Sequence, residues 1–524
     1  MLAYWQPAYC PATSPAYRLH LLLQPVNLLA PRLLGGALLL LLPELAAAQS
    51  SFNLSRSNYS GLGGAAWNPA TLADNRYKFQ LKLIGVDVHA TNTAYRYSGD
   101  WHLLSRDVPM EFNNNTLEPR PTDKPKLFSV GMNLRGPGLM VRLNERNSVA
   151  ISSRVRVAFQ GNRVSPVLLQ NAVDEFKTKA RFDNNTFNLN LNAFAEWNAS
   201  YARVVFDEGP HFLKAGLTAK RLLGVASAYL QSRDLDYEVV TRTAATGDST
   251  LRVHNLDGAF GYSNADAFED FEAGDAQRWL APSNAPGSGW GADLGVVYEY
   301  RPDDPAQYRY VDKKGVTRTD HSRSKYLYRV SVAITDLGSI NYKDAVAYNN
   351  IKAKNLGVSE SDIEGIDADN FDQRFERVLQ TGRYQKETRF GAALPTALNI
   401  DVDYRLVPRV YLNAAISQGL RSTYAAGMRH FSFASVAPRL EMKWLEVSTP
   451  VSLINNYQTL TYGLNLRLGP LSVGSNDLAG LLSAKPYGTN AYVELSLLSL
   501  TNKRPKNKKP KAGKPVPSAA PAQI

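Results

Sequence analysis

Along most of this chain, apolar side chains recur at every second position. The clearest stretch is 187–201. Phe187, Leu189, Leu191, Ala193, Ala195, Trp197 and Tyr201 share one parity, and Asn188, Asn190, Asn192, Glu196 and Asn198 occupy the other. A two-residue period places the two sets on opposite faces of a β-strand. Stretch 149–160 repeats the arrangement, with Val149, Ile151, Val155, Val157 and Phe159 against Ser152, Arg154, Arg156 and Gln160. Arginines on one face and aliphatic or aromatic side chains on the other suit a wall between a polar lumen and lipid.

Runs of this kind cover 77–91, 128–143, 149–160, 187–201, 213–229, 235–243, 250–256, 290–300, 326–334, 390–404, 410–416, 431–444, 458–468 and 491–497. Their even number suits a closed antiparallel barrel. The expected fold is therefore all-β: a transmembrane antiparallel β-barrel of about 14 strands with a small N-terminal plug (hatch). Short turns are expected near 144–147, 207–210, 244–248, 405–409 and 445–450. Longer loops are expected near 98–126, 160–186, 257–288, 341–388, 421–430 and 469–488, with 301–324 the exception on the short side. Short periplasmic turns and long extracellular loops are the outer-membrane pattern. Within 341–388, Phe371, Phe375 and Val378 fall at helical spacing and predict a surface helix over 367–380, packed on the rim. The mean hydropathy of −0.29 would ordinarily suggest a soluble protein. It is compatible with a barrel, because alternate strand residues face a polar interior. No stretch after the leader has the ~18 consecutive apolar residues of a spanning helix.

The ends differ from the middle. Leu33–Leu42 reads LLGGALLLLL after Arg18 and Arg32 and is followed by Ala46-Ala47-Ala48, so 1–48 predicts a secretory signal peptide cleaved after Ala48. The single cysteine, Cys10, lies within it, which leaves the mature chain without thiol chemistry or disulfides. Residues 49–76 are expected to form the hatch. Their centre, Gly61-Leu62-Gly63-Gly64-Ala65-Ala66-Trp67-Asn68-Pro69-Ala70, is too rich in small residues for a membrane strand, and Asn-Pro favours a turn. The barrel is expected over 77–500. After it, 501–524 is a disordered basic tail by composition, with Lys503, Arg504, Lys506, Lys508, Lys509, Lys511 and Lys514 and no acid. It is either a solvated tail or an electrostatic contact, over Lys503–Lys514, with a periplasmic partner or the cell wall. In the first strand the apolar parity flips at Gly85, and Gly136-Pro137-Gly138 interrupts the second. Each is either ordinary curvature or a kink that could open the wall sideways.

Chemistry-bearing residues are scattered. His89, His102, His211, His254, His321 and His430 share no spacing that binds metal or activates a nucleophile. No catalytic residue, metal ligand or cofactor is assigned, and an enzyme is not expected. Asp293 and Asp336 fall on strands, and Arg154 and Arg156 should face the lumen, where charges are normal. Nucleic-acid binding is disfavoured, since the basic run lacks interleaved aromatics and export removes the chain from the nucleoid.

The Gly63-Gly64-Ala65 and Asn68-Pro69-Ala70 pattern resembles the N-terminal signature of FadL-like outer-membrane proteins. The later motifs are similar to an uncharacterised FadL-related branch that neighbours PorV-type secretion components. They are Gly216-Leu217-Thr218-Ala219-Lys220-Arg221-Leu222-Leu223-Gly224, Gly291-Ala292-Asp293-Leu294-Gly295, Val332-Ala333-Ile334-Thr335-Asp336-Leu337-Gly338, Leu394-Pro395-Thr396 and Leu466-Arg467-Leu468-Gly469-Pro470-Leu471. This resemblance implies fourteen strands with an N-terminal hatch, in the outer membrane of a Gram-negative cell. It carries Gly63, Gly64, Asn68, Pro69 and Ala70 over as hatch positions. It further implies passive uptake of hydrophobic small molecules: capture by extracellular loops, hatch movement, and lateral exit into lipid. The alternative is a scaffold or shuttle in secretion or surface attachment.

Overall fold

A computed structural model describes residues 52–501, apart from 101–115, 175, 177, 243–248, 264–284, 312–314, 344, 359–370, 380–381 and 483–484. The expected signal peptide and all of the basic tail but Thr501 lie outside the described residues, as does His102. Fourteen antiparallel strands form one closed wall. They are β1 (Tyr77–Asn92), β2 (Lys126–Arg142), β3 (Asn147–Val164), β4 (Arg181–Glu208), β5 (His211–Arg242) and β6 (Ser249–Ser263, resumed as Gly287–Tyr300). Next come β7 (Tyr328–Tyr342 and Ala345–Val358), β8 (Arg383–Glu387, Phe390–Ala393 and Ala397–Val407), β9 (Val410–Gly419) and β10 (Phe433–Glu441). The last are β11 (Leu445–Ser448 and Val451–Ile454), β12 (Thr459–Tyr462 and Leu464–Leu468), β13 (Leu471–Ser475) and β14 (Gly488–Thr501). Pairing of β1 with β14, from Tyr77↔Thr501 to Thr91↔Gly488, closes the sheet. Closure leaves no unpaired strand edge in lipid, where each orphaned backbone group would be costly.

Parity decides which environment each side chain meets. Leu217, Leu294, Val296, Ile416, Val436, Leu460 and Val493 are exposed on the outside, whereas Glu196, Lys220, Asp293, Asp401, Arg439 and Glu446 are buried inside. Apolar residues outside and charges inside invert the arrangement of a soluble protein, and only lipid around the wall makes it stable. The chain is an outer-membrane β-barrel. Trp290, 67 % exposed, marks the upper edge of the apolar band on β6. Tyr300, stacked on Tyr328 with ring centres 5.3 Å apart, marks the lower edge. Ten residues at the usual rise and tilt span about 25 Å, the thickness of that band.

The strand count agrees with the sequence reading, but two pairs of differences offset each other. The runs expected at 213–229 and 235–243 are one strand, β5, and those at 250–256 and 290–300 are two parts of β6. Arg242 and Ser249 therefore stand at the upper end of the wall, and the turn expected at 244–248 lies outside the described residues. In exchange, β11 stands where a turn was expected at 445–450, and β13 stands inside the loop expected at 469–488. Thr449-Pro450 splits β11, since proline cannot donate to a ladder, and β13 is too short to show a period. Residues 345–358, expected as loop, extend β7.

β4 has 28 residues and β5 has 32, more than twice what the bilayer needs. Their upper parts, with those of β6, β7 and β8, project beyond the membrane as a sheet. Helix α1 (Pro166–Val173) and the following Phe176 pack there against Tyr237, with ring centres of Phe176 and Tyr237 5.9 Å apart. Helix α2 (Phe371–Val378) lays Phe375 and Val378 on the cluster around Tyr348, Ile351 and Phe260. Of the rim helix expected over 367–380, the described part is 371–378.

Candidate functional site

Residues 52–76 contact inward-facing groups from many parts of the wall. They form a single helical turn, Phe52–Ser55, and two 3-10 turns, Gly61–Ala66 and Pro69–Leu72. Asn68 caps the second: its Oδ1 accepts from the Ala70 N–H at 2.9 Å, and Pro69 follows at the first helical position, where no N–H is needed. The Asn68 Nδ2 faces the Val296 carbonyl and Ser331 Oγ, each at 2.9 Å, and the Val332 carbonyl at 3.1 Å. These acceptors belong to β6 and β7. Trp67 Nε1 donates to Asp401 on β8 at 2.6 Å, and Leu62 N donates to Gln80 on β1 at 2.7 Å.

The wall is shaped for this segment. A Cβ on Gly216 would come within 2.5 Å of the Pro69 and Ala70 backbone, and one on Gly295 within 2.1 Å of Asn68 Oδ1. Gly216 and Gly295 are register partners in β5 and β6. The seat is bare backbone, and a methyl group would fill it. A Cβ on Gly63 would lie 2.8 Å from Lys82 Nζ, above the Lys82–Glu494 ion pair, and one on Gly64 would meet Ser60 and Thr71 of the segment itself. Of the expected positions, Gly63 thus lies against β1 and β14, Gly64 packs within the segment, and Asn68, Pro69 and Ala70 lie against β5–β7. Gly216 and Gly295 were not singled out as part of the seat, although both lie in motifs that carried the resemblance.

Polar and charged contacts hold both ends of the segment against the wall. Arg56 donates to Ser435 at 2.9 Å, beside a wall cluster of Asp401, Asp403, Glu441 and Glu446 with Arg329, Arg439 and Arg467. Arg76 lies 3.5 Å from Glu441, whose carboxylate also accepts from Asn58 at 3.0–3.1 Å. At the other end, Asp74 meets cations: Lys325 Nζ and Arg301 Nη2 each at 2.6 Å, and His321 Nδ1 at 3.0 Å. Burial alone would raise the Asp74 carboxyl, but Lys325, Arg301 and His321 hold it well below the usual carboxylate range. Arg301, His321 and Lys325 all lie in the long lower connection between β6 and β7, and His321 also reaches Glu145 of the β2–β3 turn at 3.1 Å.

Above the segment the lumen is packed with ion pairs. Arg156 contacts Asp336 at 2.7 Å and Glu196 at 2.9 Å, Lys220 contacts Asp336 at 2.5 Å and Asp293 at 2.7 Å, and Arg154 contacts Glu196 at 2.6 Å. Asp293 and Asp336 are thus brought together with Arg154 and Arg156, all facing inward. A cavity of about 150 Å³ lies between Trp67 below and Met428–Phe433 above, bordered by Arg135, Arg154, Arg156, His89 and Phe433. Residues 420–432, joining β9 to β10, fold over it. The asparagines of the clearest sequence stretch pin this loop: Asn188 donates to the Thr423 carbonyl, and Asn190 accepts from Gly427 N at 3.2 Å. Gln160 exchanges two bonds with the Arg429 backbone, at 2.8 and 3.0 Å. His430, against Ser417 Oγ at 2.8 Å, is pushed down to about 4 by burial, so it is neutral at pH 7.

The two expected kinks face each other. The β1–β2 register runs Lys82↔Gly138 and then resumes at Gly85↔Arg135, leaving Leu83 and Ile84 opposite Gly136-Pro137. β1 also shifts register against β14 between Lys82 and Ile84, and β2 against β3 between Arg135 and Gly138. The bulge sits just before Gly85, which explains the flip in parity. A second cavity, of about 70 Å³, lies beside this interruption and is lined by Leu62, Gly63, Ala65 and Ala66 of the segment and by Gly136, Ser152 and Ser153 of the wall. Leu62 fills the space where a Gly138 side chain would stand.

The described histidines stay apart: His89 is with Ser129, His211 with Tyr298, and His254 with Glu238. Among the described residues no group of three His, Cys, Asp or Glu is placed to hold a metal ion.

Solved structures similar to this chain include a TodX deltaS2S3 mutant monoaromatic hydrocarbon channel, at 10% identity and a TM-score of 0.37, covering 84% of this chain and 94% of that one. The Ralstonia pickettii toluene transporter TbuX is similar at 11% identity and a TM-score of 0.33, covering 83% of this chain and 92% of that one. A Pseudomonas aeruginosa FadL homologue is similar at 12% identity and a TM-score of 0.26, covering 82% of this chain and 91% of that one. At such values the likeness says nothing of cargo. No curated protein matches the chain by sequence. Residues 69–476 match the profile described as a family of unknown function, DUF5723, and the chain belongs to that family.

Proposed function

We propose that this protein is a plugged outer-membrane channel that admits small hydrophobic molecules and releases them sideways into the membrane, with residues 49–76 as its hatch. The observation that carries this reading is the double interruption of the wall at Leu83–Ile84 and Gly136-Pro137, beside a cavity floored by the segment. A ladder missing its pairing on both strands is a weak place in a closed wall, and this one lies beside a cavity lined by the segment. Gly85, Gly136, Pro137 and Gly138 are then lateral-opening positions, and Gly63, Gly64, Asn68, Pro69 and Ala70 are hatch positions. The contacts of Asp74 with Lys325, Arg301 and His321, and of Arg76 with Glu441, support a hatch that stays seated, because its departure would strand the buried Lys325 and take one partner from Glu441. No cofactor or catalytic residue enters this reading.

Entry of a monoaromatic hydrocarbon and of a straight-chain amphiphile into proteoliposomes tests it. Both are expected to enter faster than into protein-free vesicles, and Gly136→Val is expected to slow them. A bismaleimide bridge between Cys at positions 57 and 446, where Ser57 and Glu446 lie 3.2 Å apart, is expected to leave entry unchanged. Entry no faster than through lipid alone rules out the channel, and a block by the bridge rules out the seated hatch.

A second reading, a scaffold or shuttle, is supported by the projecting sheet of β4–β8. On it, Lys503–Lys514 would hold a periplasmic partner or the cell wall. Pull-down with and without that stretch decides: loss of a stoichiometric companion on deletion favours the scaffold, and an unchanged companion removes the tail from it.

A further inference from the structure

The upper rim of the wall carries a charge arrangement that the fold does not need. On β7 and β8, Asn341 lies opposite Gly391 and Tyr342 opposite Phe390. Ile340 and Tyr342 are buried in a cluster with Ala392 and Phe390, on the lumen side. Asn341 and Gly391, on the other parity, are exposed. The ladder ends at Tyr342 and Phe390, and the residues immediately beyond it, Lys343 and Arg389, are both exposed. Two cations therefore stand at the adjoining ends of neighbouring strand segments, where like-charge repulsion is unfavourable unless something anionic lies between them. Among the described residues neither is in an ion pair. On the far side of Lys343 the β6–β7 register, Asn341↔Ser288 and Tyr342↔Gly287, leads to Pro286, which brings no charge. A second like-charged pair higher on the rim differs in this respect. Lys352 lies opposite Arg383, but Asp257 stands directly across from Lys352 on β6.

The height of the first pair is defined by the wall. Trp290 pairs with Ser339, and Ser339 with Ala393, so Lys343 and Arg389 stand four residues above the Trp290 level. That is about 10 Å along the membrane normal. At the Trp290 level itself, Arg221 lies between Trp197 and Trp290 in register, with its guanidinium 5.3 Å from the Trp290 ring centre. Tryptophan and arginine at this level mark where hydrocarbon gives way to headgroups. We propose that Lys343 and Arg389, with Arg221 below them, form a docking surface for the phosphate groups of an outer-leaflet glycolipid. The arginines supply forked donors that match phosphate, the lysine a point charge, and the lipid anion the compensation that the described residues do not supply. The surface lies on the lipid side of the wall and is independent of any cargo.

The experiment uses the full chain, delipidated in mild detergent, with binding of bisphosphorylated lipid A followed by native mass spectrometry. Lys343→Gln/Arg389→Gln should lower the bound fraction at least about tenfold. Lys343→Arg/Arg389→Lys, which keeps both charges, should retain the lipid. Lys352→Gln/Arg383→Gln, which removes the same charge higher up, should bind as the unaltered protein does. Equal loss in both Gln variants, unchanged binding in the first, or equal binding of dephosphorylated lipid A would each overturn the assignment.

Discussion

Gly216 and Gly295 face each other across the β5–β6 pairing, and together they leave the bare patch of wall on which Asn68, Pro69 and Ala70 rest. The relationship is steric: in either strand a single methyl group would collide with the segment. Gly216→Val should therefore lower stability by about 1–3 kcal/mol, as overpacking does. It should also make 52–76 cleavable by protease while the barrel stays resistant. Gly357→Ala, at a position with open space around it, should change neither. Limited proteolysis followed by mass mapping reads both.

The Asp74 clamp makes a prediction about pH. Its carboxyl lies below the ordinary value of 3.8 in the folded protein. The clamp's contribution is therefore fully present above about pH 4 and is lost as pH falls through the lower, folded value. Hydrogen exchange of residues 61–76 should accelerate below pH 4. In Asp74→Asn, exchange should be fast at neutral pH and show no such transition.

His430 has the same sign of dependence in a different window. Burial holds it at about 4, against about 6.5 for a free imidazole. The open loop binds the proton more readily, so closure of 420–432 weakens as pH falls from about 6.5 to about 4. A fluorophore attached at position 425 should report this opening. His430→Gln should flatten the curve across that window.

Asp336 accepts from both Arg156 and Lys220. Asp336→Ala would leave two buried cations to Glu196 and Asp293 alone, at a cost of about 3–5 kcal/mol, as when one partner of a buried pair is removed. Asp336→Ala/Lys220→Met should recover part of that loss. Urea unfolding of the detergent-solubilised barrel measures both variants.

The alternation at 187–201 and 149–160 was enough to read a barrel wall and to assign Asn188, Asn190, Glu196, Arg154 and Arg156 to the lumen. Each face of a membrane strand meets one solvent, and parity alone selects which. The same logic located the break at Gly85, because a bulge reverses parity where it occurs. What the tertiary structure alone decided are the relations between distant positions. Examples are the meeting of the Gly85 and Gly136-Pro137-Gly138 irregularities, the seat at Gly216 and Gly295, the wall contacts of Arg56 and Asp74, and the exchange of two expected strands for β11 and β13. These depend on register and barrel closure, which bring residues hundreds of positions apart into contact. A local period carries no record of which strand lies beside which, or of where a bare glycine meets another segment's backbone.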